Sequence, residues 1–302
     1  PYIAKVFAVP DQAVVSVEML ETGDEFTYQN IYMPPAKESW PEGQPESDYV
    51  ENKTAYHTDE LYPLQPVSVE TPSVFRDFRI VRLSVFPVRY NPLNREMKVV
   101  SSIKVRLNYD SGKAVNPKTS SRRPIPRSFG KLYRSFIYNY QEVLDKLYNG
   151  KEDGNELMLC IMPDMFVSSF QPYAEWRRQS GTDVHITKFS DIGANANNPD
   201  IIKNHILDAY NNWEVIPTYV LIIGDDGVFP KKIVTYPSYS FPNEDYFVEL
   251  EGNDHFPEMM IGRFTNQGDY RLQVMVNKFL SYEKTPYTNQ DHWFKKATVC
   301  SN

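Results

Sequence analysis

The residues most able to do chemistry in this chain are Asp254-His255-Phe256-Pro257-Glu258 and the pair in 224-GDDG-227. Carboxylates at i and i+4, with a main-chain carbonyl between them, suit a hard cation that takes six to eight oxygen ligands, such as calcium. Asp225 or Asp226, at the end of an apolar run, would complete the set. The competing reading is a loop whose acids accept hydrogen bonds from nearby backbone N–H groups. His255 reads as an exposed loop residue, and Arg263 as the partner of an acid near a strand end. Cys160 and Cys300 both sit inside apolar stretches, LMLCIMP and ATVCSN, and read as small buried hydrophobes rather than nucleophiles. Two cysteines exclude a disulfide scaffold and leave a cysteine-type zinc site short of ligands.

The elements that must position these groups follow from periodicity. From residue 155 onward, apolar runs predict strands at 156–162, 183–189, 217–224, 258–262 and 296–301. Several are continuous, as expected for strands buried on both faces of a parallel sheet. Helices are predicted at 166–180, 198–213 and 267–283, with Phe170, Tyr173, Ala174 and Trp176 facing inward on the first. Such βαβ alternation makes an open sheet with helices on both faces, whose functional groups gather at the carboxyl ends of the strands. That places Gly224–Gly227 at the functional edge.

The front of the chain has a different composition. Residues 1–130 hold most of the 23 prolines and few of the 13 glycines, and their apolar residues alternate in short runs. Residues 79–109 predict a β-hairpin turning at 91-NPLN-94, and 33–72 a long ordered loop without helix. Residues 111–128, rich in Ser, Pro, Lys and Arg, predict an exposed linker that a protease can reach, with Arg122, Arg123 and Arg127 (and Lys118) as candidate processing positions. The resulting organisation is a β-rich, sandwich-like domain over 1–112, a connecting segment over 113–150 and an α/β subdomain over 151–302.

Bulk properties bound the function. The 302 residues carry a net charge of −7 without a basic stripe, which disfavours nucleic acid as a partner. No apolar run approaches the ~18–20 residues of a membrane span. Pro1-Tyr2-Ile3 opens without a charged segment or an apolar signal core, and we read this N-terminus as an internal one.

The segments 171-QPYAEWRRQSGTDVHITKFSDIG-193, 218-TYVLIIGDDGVFP-230, 251-EGNDHFPEMMIGRF-264 and 282-YEKTP-286 resemble, in order, the first subdomain of the gingipain-type cysteine peptidases, family C25. Segments 1-PYIAKVFAVP-10, 74-VFRDFRIVRLSVFPVRYNP-92 and 129-FGKLYRSFIYNY-140 resemble that family's pro-domain. The resemblance implies a caspase-like catalytic domain using a Cys and a His in an H-G pair. None of the five histidines sits in such a pair, so both catalytic residues are expected beyond Asn302. It further implies a protein or peptide substrate, a secreted or surface location, and a structural calcium bound by Asp254, the Phe256 carbonyl and Glu258 with Asp225, Asp245 being a weaker candidate. A pro-domain loop near 36-AKESWPEG-43 would enter the cleft, presenting Lys37 or Trp40. The segment alone is expected to be inert, with the rest of the catalytic domain as its partner. The competing function is a non-catalytic relative acting in secretion or surface binding.

Overall fold

The structure is a computed structural model that describes every residue except 41–42, 237–238, 287–292, 294 and 299–302. It divides into two compact units. The first comprises Pro1–Pro72, Val81–Val115 and, of the described residues at the end of the chain, 296–298; the second comprises Ser73–Ile80 and Asn116–Lys295.

The first unit is built from strands β1 (Ile3–Val9), β2 (Val14–Thr22), β3 (Glu25–Tyr28) and β4 (Val67–Val69), with one helical turn, α1 (Lys53–Tyr56). That turn, inside the stretch predicted to lack helix, is capped by the Asn52 side chain accepting from the Ala55 N–H. Strands β5 (Ser73–Phe75), β6 (Phe78–Val85), β7 (Val88–Asn91), β8 (Glu96–Val100) and β9 (Ile103–Asp110) follow, and the chain divides between the two units within β6. The hairpin predicted over 79–109 does turn at Asn91–Glu96, but each of its arms is two strands. Pro87, which has no N–H to give a ladder, lies at the first break, and Ser101-Ser102 at the second. The halves then join different sheets: β7 pairs β8, β6 pairs β4 and β5, and β9 pairs β2.

In the second unit, α2 (Arg127–Phe136) and α3 (Tyr140–Tyr148) precede β10 (Leu157–Met162), α4 (Val167–Gln179), β11 (Asp183–Lys188), α5 (Phe189–Ile192), α6 (Pro199–Asn212) and β12 (Tyr219–Ile223). Then come the small hairpin β13 (Ile233–Tyr236) and β14 (Tyr239–Pro242), strand β15 (Met260–Phe264) and α7 (Asp269–Lys284). Strands β11-β10-β12-β15 form one wholly parallel sheet in that order. Its side chains alternate between two cores. Leu159, Ile161, Val220 and Ile222 pack with Ile202 and Ile206 of α6, whereas Cys160, Met162, Leu221 and Ile223 pack with Phe170 and Leu272 of α4 and α7. The alternation is the period-2 geometry of a strand covered on both faces. The chain is therefore an α+β protein with a β-rich front and an α/β subdomain on a parallel sheet. Of the strand predicted over 296–301, residues 296–298 form no strand, and the rest lies outside the described residues, as do Cys300 and His292.

Residues 116–128, predicted as an exposed linker, are bound to the second unit. Lys118, Ile125 and Pro126 are buried. The reason is chemical: Lys118 has a buried carboxylate partner, and Ile125 enters a parallel bridge through Pro126 and Gly154.

Candidate functional site

Two edges of the parallel sheet carry the polar groups picked out by sequence. At the carboxyl edge, Gly224 follows β12 with φ +134, a conformation open to glycine, and a Cβ there would meet Phe229 at 3.1 Å. Arg263 of β15 donates to the Gly224 carbonyl at 2.6 Å and holds Glu244 with a two-pronged contact of 2.9 and 2.8 Å. This is the strand-end acid pairing expected of Arg263. Asp225 accepts from the Asp226 N–H and from Gln267, and Asp226 pairs with Lys231 at 2.6 Å.

At the amino edge lies the loop 251–258, between the small hairpin and β15. Glu258 is wholly buried. Its Oε2 accepts from the backbone N–H groups of Leu250 and Glu251, while its Oε1 has no partner. Burial pushes the carboxyl up to about 8, against those two N–H donors and with the Asp254 and Glu251 charges adding to the rise. Asp254 accepts from the Val74 and Phe256 N–H groups and from the Asn116 side chain at 2.7 to 2.9 Å. Beside it, Glu251 gathers the Lys118 ammonium, the backbone N–H groups of Thr119 and Ser120, and the Ser120 and Tyr210 hydroxyls. Burial opposes ionisation of Glu251. The donors from Ser120 and Tyr210 and the charge of Lys118 outweigh it and bring the carboxyl down to about 2.

The structure thus leaves Asp254 and Glu258 in one loop at the amino edge, each held by its own backbone donors, and keeps Asp225 away from them. Asp225 follows β12, while Glu258 precedes its parallel neighbour β15, so the length of a five-residue strand separates them. At ~3.3 Å per residue that is roughly 15 Å or more. Parallel pairing puts consecutive functional loops at opposite edges unless both follow their strands. Sequence order did not reveal this. The Glu258 Oε1 is left without a partner, but both Asp254 oxygens accept from N–H donors and the described residues contain no cluster of three or more potential metal-binding side chains. Asp245, in a single helical turn, lies in neither group.

The other expected positions are also located. His255 is exposed, 3.4 Å from Glu249. Lys37 pairs with Glu46 at 2.9 Å and lies over the Tyr49 ring, while Trp40 is exposed. Arg122 and Arg127 are exposed, whereas Arg123 is half-buried and donates to the Trp213 and Asn211 carbonyls. Cys160 is fully buried, its thiol pushed up by that burial, which fits a core residue and not a nucleophile. Sequence reasoning missed Arg76, Lys118 and Glu251 as buried polar groups. A charged residue at a hairpin tip or in a basic run ordinarily marks solvent.

Comparison with known proteins accounts for both parts. Residues 151–302 match the profile of peptidase family C25, and residues 1–144 match the C25 propeptide. The chain belongs to peptidase family C25, carrying its propeptide and the N-terminal part of its peptidase region. It is similar to gingipain R2 of Porphyromonas gingivalis, 23% identical over 299 residues that cover 98% of this chain and 39% of that one. It is also similar to Lys-gingipain of the same organism, 24% identical over 320 residues, covering 99% and 18%. The chain therefore spans about two-fifths or less of the length of these relatives. Among solved structures, the complex of Porphyromonas gingivalis RgpB pro- and mature domains matches with a TM-score of 0.41 and 20% identity, covering 46% of this chain and 70% of that one. A structure of gingipain K addressing its zymogenic latency matches at 0.31 and 23%, covering 37% and 65%. No helix among the described residues is long and apolar enough to cross a membrane.

Proposed function

We propose that the complete protein is a secreted or surface cysteine endopeptidase held latent by the propeptide contained in this chain. The observation that supports it is the collinear match of propeptide and peptidase profiles along nearly all 302 residues. Its substrate would be a protein or peptide. The chemistry would be thiolate attack on the peptide carbonyl, protonation of the leaving amine by imidazole, and backbone donors at the oxyanion. The part of the sheet present here would supply the scaffold, with the Gly224–Gly227 turn at its carboxyl edge.

Latency would be relieved by proteolysis, with Arg122 and Arg127 as the exposed basic positions. The loop carrying Lys37 and Trp40 is the candidate for the cleft. Lys37 pairs with Glu46 and Trp40 is exposed, so Trp40 would be the side chain presented. A structural calcium would be held by the Asp254 and Glu258 carboxylates and the Phe256 carbonyl, where it would neutralise two neighbouring acids. The test is to cut the complete protein with trypsin and follow peptide hydrolysis and its block by a thiol reagent. Thiol-sensitive activity that rises on cleavage supports the reading; a correctly folded, cleaved protein without such activity refutes it.

A further inference from the structure

Arg76 occupies an unexpected place for a long cation. It is the first of the two residues joining β5 to β6, whose register pairs Phe75 with Phe78. Its φ is +47, the left-handed region that two-residue hairpin loops use and that glycine or asparagine would fill more cheaply. An L-residue with a bulky side chain costs about 1 kcal/mol there. The guanidinium is nevertheless buried, with 4% of the residue exposed, and lies over the Phe129 ring at 4.6 Å. A backbone outlier of this kind calls for an explanation in what the side chain reaches.

It reaches three main-chain carbonyls. Nη1 donates to Pro217 and to Glu258, both at 2.8 Å, and Nη2 to Ile216 at 3.4 Å. The adjacent Asp77 is farther, 3.7 Å from Nε, and Nε itself has no hydrogen-bond partner. So the carbonyl contacts, not the neighbouring charge, orient the group. The two carbonyls on Nη1 are not arbitrary. Strands β12 and β15 are registered Tyr219 to Met260, and Pro217 and Glu258 each stand two residues before that first pair. One nitrogen of Arg76 therefore ties together the two positions that oppose each other just outside the ladder.

This pairing has reason to need a clamp. Strands β10 and β11 are joined through α4, whose length sets the span of the crossover. Between β12 and β15 the described chain has only a small hairpin and a helical turn, so the connection itself leaves the register loosely defined. A slip of one residue by the edge strand β15 would exchange its faces, turning Ile261 out of one core and Phe264 out of the other. At the far end Arg263, a residue of β15 itself, binds the Gly224 carbonyl. At the near end the clamp comes from the propeptide-matching part of the chain.

We propose that Arg76 is a positioning residue by which the propeptide sets the register of β12 against β15 while the peptidase part folds. The contact must then exist in the folding transition state. Arg76→Met in the full chain should slow refolding about tenfold and change the unfolding rate little. Lys118→Met, which removes another buried propeptide cation, one paired with Glu251 in the loop before β15, should instead speed unfolding and leave refolding unchanged. If Arg76→Met yields no native chain, Arg76→Lys, a point charge without the planar fork, carries the same comparison with a smaller effect. Stopped-flow refolding from urea reads both rates. Unfolding that accelerates with refolding unchanged, in either Arg76 variant, would show a contact made after the strands have paired and would overturn the proposal.

Discussion

Lys118 and Glu251 form an ion pair of 3.1 Å in which only 2% and 8% of the two side chains remain exposed. The cation comes from a segment whose composition reads as surface, and the anion from the loop before β15. The pair joins the propeptide-matching residues 116–120 to the peptidase-matching part, and the Ser120 and Tyr210 hydroxyls complete the cluster around Glu251.

Removing Lys118 should be costly because it leaves a buried carboxylate short of its countercharge. Breaking one side of such a pair typically costs about 3–5 kcal/mol. The remaining donors from Thr119, Ser120 and Tyr210 place Lys118→Met at or below the lower end of that range. Replacing both partners, as Lys118→Met with Glu251→Leu, should recover part of the loss. Urea unfolding of the two variants measures both, and a double variant no more stable than the single would contradict this account.

The same carboxylate predicts an acid-side transition. Its folded value of about 2 lies below the ordinary 4.5, so the stability it contributes is present above pH 4.5 and lost as pH falls toward 2. Glu251→Gln should flatten the stability profile in that window and lower stability at neutral pH. A set of denaturation curves between pH 2 and 6 reads the difference.

Glu258 predicts the opposite slope. Its folded value of about 8 exceeds the ordinary 4.5, so its contribution is full below pH 4.5 and declines as pH rises through 8. Glu258→Gln should remove that decline. In the wild-type chain, calcium at about a hundred times its dissociation constant should add on the order of 2.7 kcal/mol. The gain should shrink sharply in the Gln variant. Melting curves at pH 7 and 9, with calcium or with a chelator, test both expectations.

Much of the scaffold was legible before the structure. The alternation of apolar runs with amphipathic stretches placed α4 at 167–179, α6 at 199–212 and β10 at 157–162 within a residue or two of their predicted ends. Local pattern suffices there because each element buries a continuous or periodic face. The front of the chain was less legible. The arms predicted over 79–109 break at Phe86-Pro87 and Ser101-Ser102 and send their halves to different partners, which period-2 alternation alone cannot specify.

The sequence by itself determined the class of elements, the burial of Cys160, the turn at Gly224 and the membership in the family. All of these depend on residue type and near neighbours. Only the tertiary structure decided that Asp225 lies a strand's length away from Asp254 and Glu258, and that Arg76 and Lys118 are buried. Those facts depend on which edge of a parallel sheet each loop occupies and on which distant carbonyl or carboxylate meets each cation. Charge along the chain carries no record of either.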